Sequence, residues 1–114
     1  MGLMRLDEIR PPIEDTISVL AITTAASAEQ DLALTPEGTG KKSYWFYSDT
    51  TCYITFSNDG ISGSITNPDE TAVTGSGCTF PIPANTMVPF VVSPKQRYFK
   101  AKGAASGYLR WYPG

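Results

Sequence analysis

Residues 43–57 read SYWFYSDTTCYITFS. Two short runs, SYWFYS and TCYITFS, carry aromatic and β-branched side chains with no helical period, which is the composition of strands. In the second run Cys52, Ile54 and Phe56 fall on one face, and Tyr53 and Thr55 on the other. Asp49-Thr50 between the runs predicts a tight hairpin.

The strand signal extends outward in both directions. Upstream, TISVLAITT (16–24) is rich in β-branched residues, and EQDLALT (29–35) alternates with Leu32 and Leu34 on one face. Downstream, TFPIPANTMVPFVVSP (79–94) is punctuated by Pro81, Pro83 and Pro89. Proline cannot donate to a ladder, so these strands belong at sheet edges or bulges. Pro83 to Thr86 has the composition of a turn. RYFKA and GYLRWY close the chain. Together these make about seven main strands and one all-β domain over residues 17–114, a single β-sandwich or jelly-roll-like fold.

Two segments stand apart. Residues 1–16, MGLMRLDEIRPPIEDT, form an N-terminal arm. Pro11-Pro12 forbids a continuous helix through it, although a short helix over residues 3–10 is compatible with its pattern. A solvated tail rarely carries as many large aliphatics as Leu3, Leu6, Ile9 and Ile13, so the arm is expected to dock, on its own domain or on a neighbour. Residues 58–78 are dense in turn formers. That loop is expected to hold a small hairpin (61–65 against 71–74) or to project as a functional tip.

A chain of 114 residues suits one domain. Charged residues make up 18%, below the roughly 25% usual for soluble domains. The net charge is −2, which disfavours a nucleic-acid partner because phosphate neutralisation needs a basic excess. Only the C-terminal stretch is locally basic, with Lys95, Arg97, Lys100, Lys102 and Arg110. No apolar run reaches the ~18–20 residues that span a bilayer. The first residues lack the unbroken apolar core of a signal peptide, so a cytoplasmic setting with reduced cysteines is expected.

The inventory for chemistry is sparse. The chain contains no histidine, which removes the commonest general base and metal ligand. Cys52 and Cys78 lack CxxC spacing, and Cys52 shares the Ile54/Phe56 face, where a thiol is an inert core residue. Asp59, Asp69 and Glu70 sit in the long loop without the spacing of a calcium loop, and turn chemistry explains them. No Gly-rich phosphate loop precedes a helix. The expectation is a protein that is not an enzyme, with no catalytic residue, cofactor or metal.

The C-terminal strands give the candidate binding residues. Alternation places Phe99 and Ala101 on one face of the first, and Leu109 and Trp111 on one face of the second. Pairing core with core in a hairpin gathers Tyr98, Lys100, Tyr108, Arg110 and Tyr112 on the outside. Cross-strand and cation–π contacts account for such a set structurally, and protein interfaces also favour it.

The succession EQDLALT, YITFS, FPIPANTMVPFVV and QRYFKAKGAASGYLRWYP over residues 17–114 resembles small structural proteins of tailed bacteriophage virions. The resemblance implies a β-sandwich and a non-enzymatic virion component assembled in the host cytoplasm, such as a head decoration (cement) protein or a head or tail accessory protein. It implies other virion proteins as partners, the major capsid protein among them, and transfers no catalytic residue. The arm lies outside the resemblance. Reaching onto a neighbour, it would favour a closed homo-oligomer such as a trimer. A second reading is a virion-borne or tail-associated module that recognises host glycan or receptor through the exposed tyrosines and the 58–78 loop.

Overall fold

A computed structural model describes residues 17–34, 42–63, 65–69 and 79–114. The strands are β1 (Ser18–Ile22), β2 (Gln30–Asp31), β3 (Lys42–Ser48), β4 (Cys52–Phe56), β5 (Phe80–Ile82), β6 (Thr86–Val92), β7 (Tyr98–Gly103) and β8 (Gly107–Pro113). They form two antiparallel four-stranded sheets, one ordered β1-β8-β3-β6 and the other β2-β7-β4-β5. This is the strand order of a jelly roll. The expected sandwich is present, with eight strands among the described residues where seven main ones were expected.

The sheets close on an aromatic core because inward alternation holds in every long strand. Phe46 of β3 is fully buried. Its ring meets Phe90 at 5.3 Å, Phe99 at 5.6 Å, Trp111 at 6.0 Å and Phe56 at 6.1 Å. Phe56 and Phe99 come from the opposite sheet, so Phe46 joins the two layers. The three phenylalanine partners meet Phe46 edge-to-face and Trp111 stacks on it; such aromatic pairs add about 0.5–1.5 kcal/mol each beyond area burial. Ile22, Ile54, Ile82, Leu109 and Val92 fill the space around the rings.

The expected hairpin at Asp49-Thr50 is not formed. β3 and β4 belong to different sheets, and the chain crosses the sandwich at residues 49–51. A two-residue hairpin needs positive φ, which glycine, asparagine or aspartate supplies most readily, and neither Asp49 nor Thr50 adopts it. Instead Ser48 Oγ accepts the Thr50 N–H, and Asp49 Oδ1 accepts the Tyr108 N–H at 2.8 Å. The Asp49 carboxylate also lies against Gly107, where a Cβ would collide with it.

β7 and β8 do not pair either. They lie in opposite sheets, and their inward faces meet across the core, with Phe99 and Trp111 at 4.9 Å and 85°. Among the described strands, only β4 and β5 are both consecutive and paired.

The EQDLALT stretch is also corrected. Its strand ends at Asp31. The Asp31 carboxylate accepts the Ala33 N–H at 2.7 Å, and Ala33 turns into the left-handed region at φ 59°. Leu32 and Leu34 are buried nonetheless.

The prolines behave as their chemistry requires. β5 and β6, which carry Pro81 and Pro89, are the edge strands on one side of the sandwich. The Pro83 to Thr86 turn is present, with Asn85 at φ 58° and its N–H donating to Ser48 O.

The described part of the long loop folds down onto the body. Pro68 is buried, the Asp69 N–H donates to Thr79 Oγ1, and Lys100 Nζ donates to Asn67 Oδ1. Residues 61–63 and 65–69 carry no strand. Residues 71–74, the other half of the expected hairpin, lie outside the described residues, as do the arm and Cys78.

Candidate interaction surface

The ladder registers define the outer face of the β1-β8-β3-β6 sheet. Trp45 of β3 lies opposite Pro89 of β6 and Tyr112 of β8. In the next row Tyr47 lies opposite Met87 and Arg110, and Arg110 opposite Val19. Ser43 pairs with Val91, and Ala21 with Tyr108. These positions alternate with the core residues, so their side chains leave the sheet on the outside.

The result is a face made almost wholly of apolar and aromatic groups. Val91 is 59% exposed, Val19 56% and Tyr108 50%, with Ile17 at 39% just beyond the end of β1. Pro89 is exposed, and Trp45, Tyr47 and Met87 are half-buried. Arg110 is the one charged side chain among the strand positions of this face. Its guanidinium sits 5.7 Å from the centre of the Tyr108 ring. Among the described residues no carboxylate forms an ion pair with it.

The opposite outer face, on the β2-β7-β4-β5 sheet, has another character. Tyr53 lies opposite Lys102, Thr55 opposite Lys100, and Asp31 opposite Tyr98. Arg97 lies over the Tyr98 ring at 5.2 Å and pairs with Asp31 through Nε and Nη2 at 2.7 and 2.9 Å. The 65–69 segment covers part of this face: Thr55 is buried and hydrogen-bonded to Thr79.

The patch expected from the C-terminal strands therefore divides. Tyr98 and Lys100 lie on the charged face, and Tyr108 and Arg110 on the apolar one. Tyr112 belongs to the apolar face by register but is only 8% exposed, with its hydroxyl reaching Met87 Sδ at 3.9 Å. The physical reason is the crossover at residues 104–106, which sends β8 into the other sheet. Leu3, Leu6, Ile9 and Ile13 lie outside the described residues.

Val19, Trp45, Tyr47, Met87, Pro89 and Val91 were missed by sequence reasoning, yet they left a signal. SYWFYS and TMVPFVV are apolar at both odd and even positions. A strand solvated on one side alternates, and one apolar on both sides is built to be covered on both.

Two clefts are lined wholly by described residues. One shallow cleft of about 260 Å³ is lined by Asp59, Gly60, Pro94, Lys95 and Arg97, and another of about 210 Å³ by Thr24, Tyr53, Lys102, Gly103 and Ala104. Both are below the roughly 300–1,000 Å³ typical of ligand sites. Burial pushes the Cys52 thiol up to about 12, so it carries no thiolate at neutral pH. Among the described residues no three Cys, Asp or Glu side chains converge as a metal site. Compared with protein-family models, curated proteins and solved structures, the chain matches none.

Proposed function

We propose that this protein is a non-enzymatic structural component of a tailed-phage virion, which decorates or stabilises the capsid through contacts between its own copies and with the shell. The observation that carries the reading is the outer face of the β1-β8-β3-β6 sheet. Soluble monomers rarely expose contiguous apolar patches beyond a few hundred Å², and a sheet face with one charge among its strand positions calls for a partner. Jelly rolls serve as viral capsid domains and as lectins, and a fold alone assigns neither role. The apolar character of the face favours protein association. The glycan reading drew on the exposed tyrosines together with the 58–78 loop; of those tyrosines, Tyr98 and Tyr108 lie on different faces and Tyr112 is covered, which favours it less.

The test is solution mass by light scattering, together with mass spectrometry of gradient-purified particles from the cells that produce the protein. Assembly into oligomers is expected, with Val19→Lys and Val91→Lys driving the mass toward monomer. Those exposed positions should change folding stability by no more than about 0.5 kcal/mol. A wild-type monomer at high micromolar concentration, or particles lacking the protein, would overturn the reading.

A further inference from the structure

We propose that the apolar outer face of the β1-β8-β3-β6 sheet receives the N-terminal arm, residues 1–16, of a second copy of this chain. The inference rests on the assembly reading above and names the contact that would join the copies.

Reach is the first argument. The arm ends at residue 16, and Ile17 leads directly into β1. One step beyond the β1–β8 register, Ile17 falls opposite Tyr112, in the row that continues through Trp45 to Pro89. The arm therefore joins the body at the border of the apolar face. Extended, sixteen residues cover roughly 53 Å, more than the longest dimension of the described body, 36 Å. One arm can cross a neighbour's face completely.

Direction is the second argument. β1 runs antiparallel to β8, so the chain enters β1 at the end of the sheet where β8 finishes. Between Pro11 and Thr16 there is no glycine to help the chain double back over its own sheet, and Pro11-Pro12 favours extended backbone.

Complementarity is the third. Leu3, Leu6, Ile9 and Ile13 supply aliphatic groups to a face formed by Val19, Trp45, Tyr47, Met87, Pro89 and Val91. The arm carries Asp7, Glu8, Glu14 and Asp15 against Arg5 and Arg10, an acidic excess. The face carries Arg110 with no carboxylate partner among the described residues.

The experiment places a photo-crosslinking benzoylphenylalanine at Ile9 of the full chain. Isotopically light and heavy copies are mixed, unfolded and refolded together, then irradiated. Crosslinked peptides are mapped by mass spectrometry while light scattering reports assembly. The expected products join the arm to peptides containing Val19, Trp45, Tyr47 or Met87, with mixed-label products as frequent as same-label ones. Arg110→Glu should reduce their yield several-fold. Same-label products alone would mean each arm lies on its own body, and products on the Tyr98/Lys100 face would mean the wrong surface; either overturns the proposal. An oligomer lacking arm-to-face products removes this contact and leaves the assembly reading standing, whereas a monomer removes both.

Discussion

Asp31 and Arg97 form a two-point ion pair, with Nε to Oδ1 at 2.7 Å and Nη2 to Oδ2 at 2.9 Å. The pair fastens β2 to the residue that leads into β7. The guanidinium hydrogen bonds, aided by the Ala33 N–H, outweigh partial burial and hold the Asp31 carboxyl below the usual carboxylate range. A lowered folded-state value means a contribution fully present above the ordinary carboxylate value and lost as pH falls through the lowered one. Asp31→Asn keeps an acceptor for Ala33 and removes the charge. Its urea midpoint is expected to fall below wild type at neutral pH, with the gap closing in strong acid. A gap independent of pH would contradict this account.

Phe46 joins the two sheets. Phe46→Ala empties the centre of the aromatic cluster, and such truncations cost about 3–5 kcal/mol. A domain of this size holds roughly 6–17 kcal/mol in total. Urea unfolding should show a loss in that range, or no folded population.

Thr79 is buried and ties three elements together. Its hydroxyl meets Thr55 Oγ1 at 3.2 Å and accepts the Asp69 N–H at 3.0 Å. Thr79→Val leaves the buried Thr55 hydroxyl without this partner, a cost of about 1–3 kcal/mol. The Asp69 amide should exchange with solvent faster in the variant, as read by hydrogen–deuterium exchange.

Ala33 at φ 59° holds a conformation that costs a residue with a Cβ about 1–2 kcal/mol. Ala33→Gly relieves that cost but loosens the unfolded chain by about 0.4–1 kcal/mol. A small net stabilisation is expected from denaturant midpoints, and a clear loss would show that Ala33's methyl is needed.

Cys52 is expected to resist alkylation by iodoacetamide in the native protein at mildly alkaline pH and to react fully in denaturant. Mapping of the Cys52 peptide checks this. Modification without denaturant would mean that β4 opens readily.

What the sequence made legible was sidedness. Alternation placed Cys52, Ile54, Phe56, Phe99, Ala101, Leu109 and Trp111 on inward faces, where all are buried. Pro81 and Pro89 marked their strands as edges. Partnership was not legible, because alternation says which way a side chain points and nothing about which strand lies beside it. Neighbours in sequence were paired at Asp49-Thr50 and between β7 and β8, whereas both connections cross the sandwich. That error merged two outer faces into one patch. It also hid the apolar face, whose rows draw on β1, β3, β6 and β8. Tyr112 shows a further limit: its outward position was readable, but its cover by groups such as Met87 depends on strands brought together only in the fold.

The β1–β8 ladder has a consequence for biosynthesis. Ser18 pairs with Trp111 and Ile22 with Gly107, so β1, the first of the described strands, waits for β8, the last of them. Translation of the roughly 85 intervening residues at 5–20 per second takes roughly 4–17 s. During that interval Leu20 and Ile22 have no partner strand. The nascent chain is then most open to capture by holding chaperones, and most vulnerable to aggregation with neighbours on the same messenger.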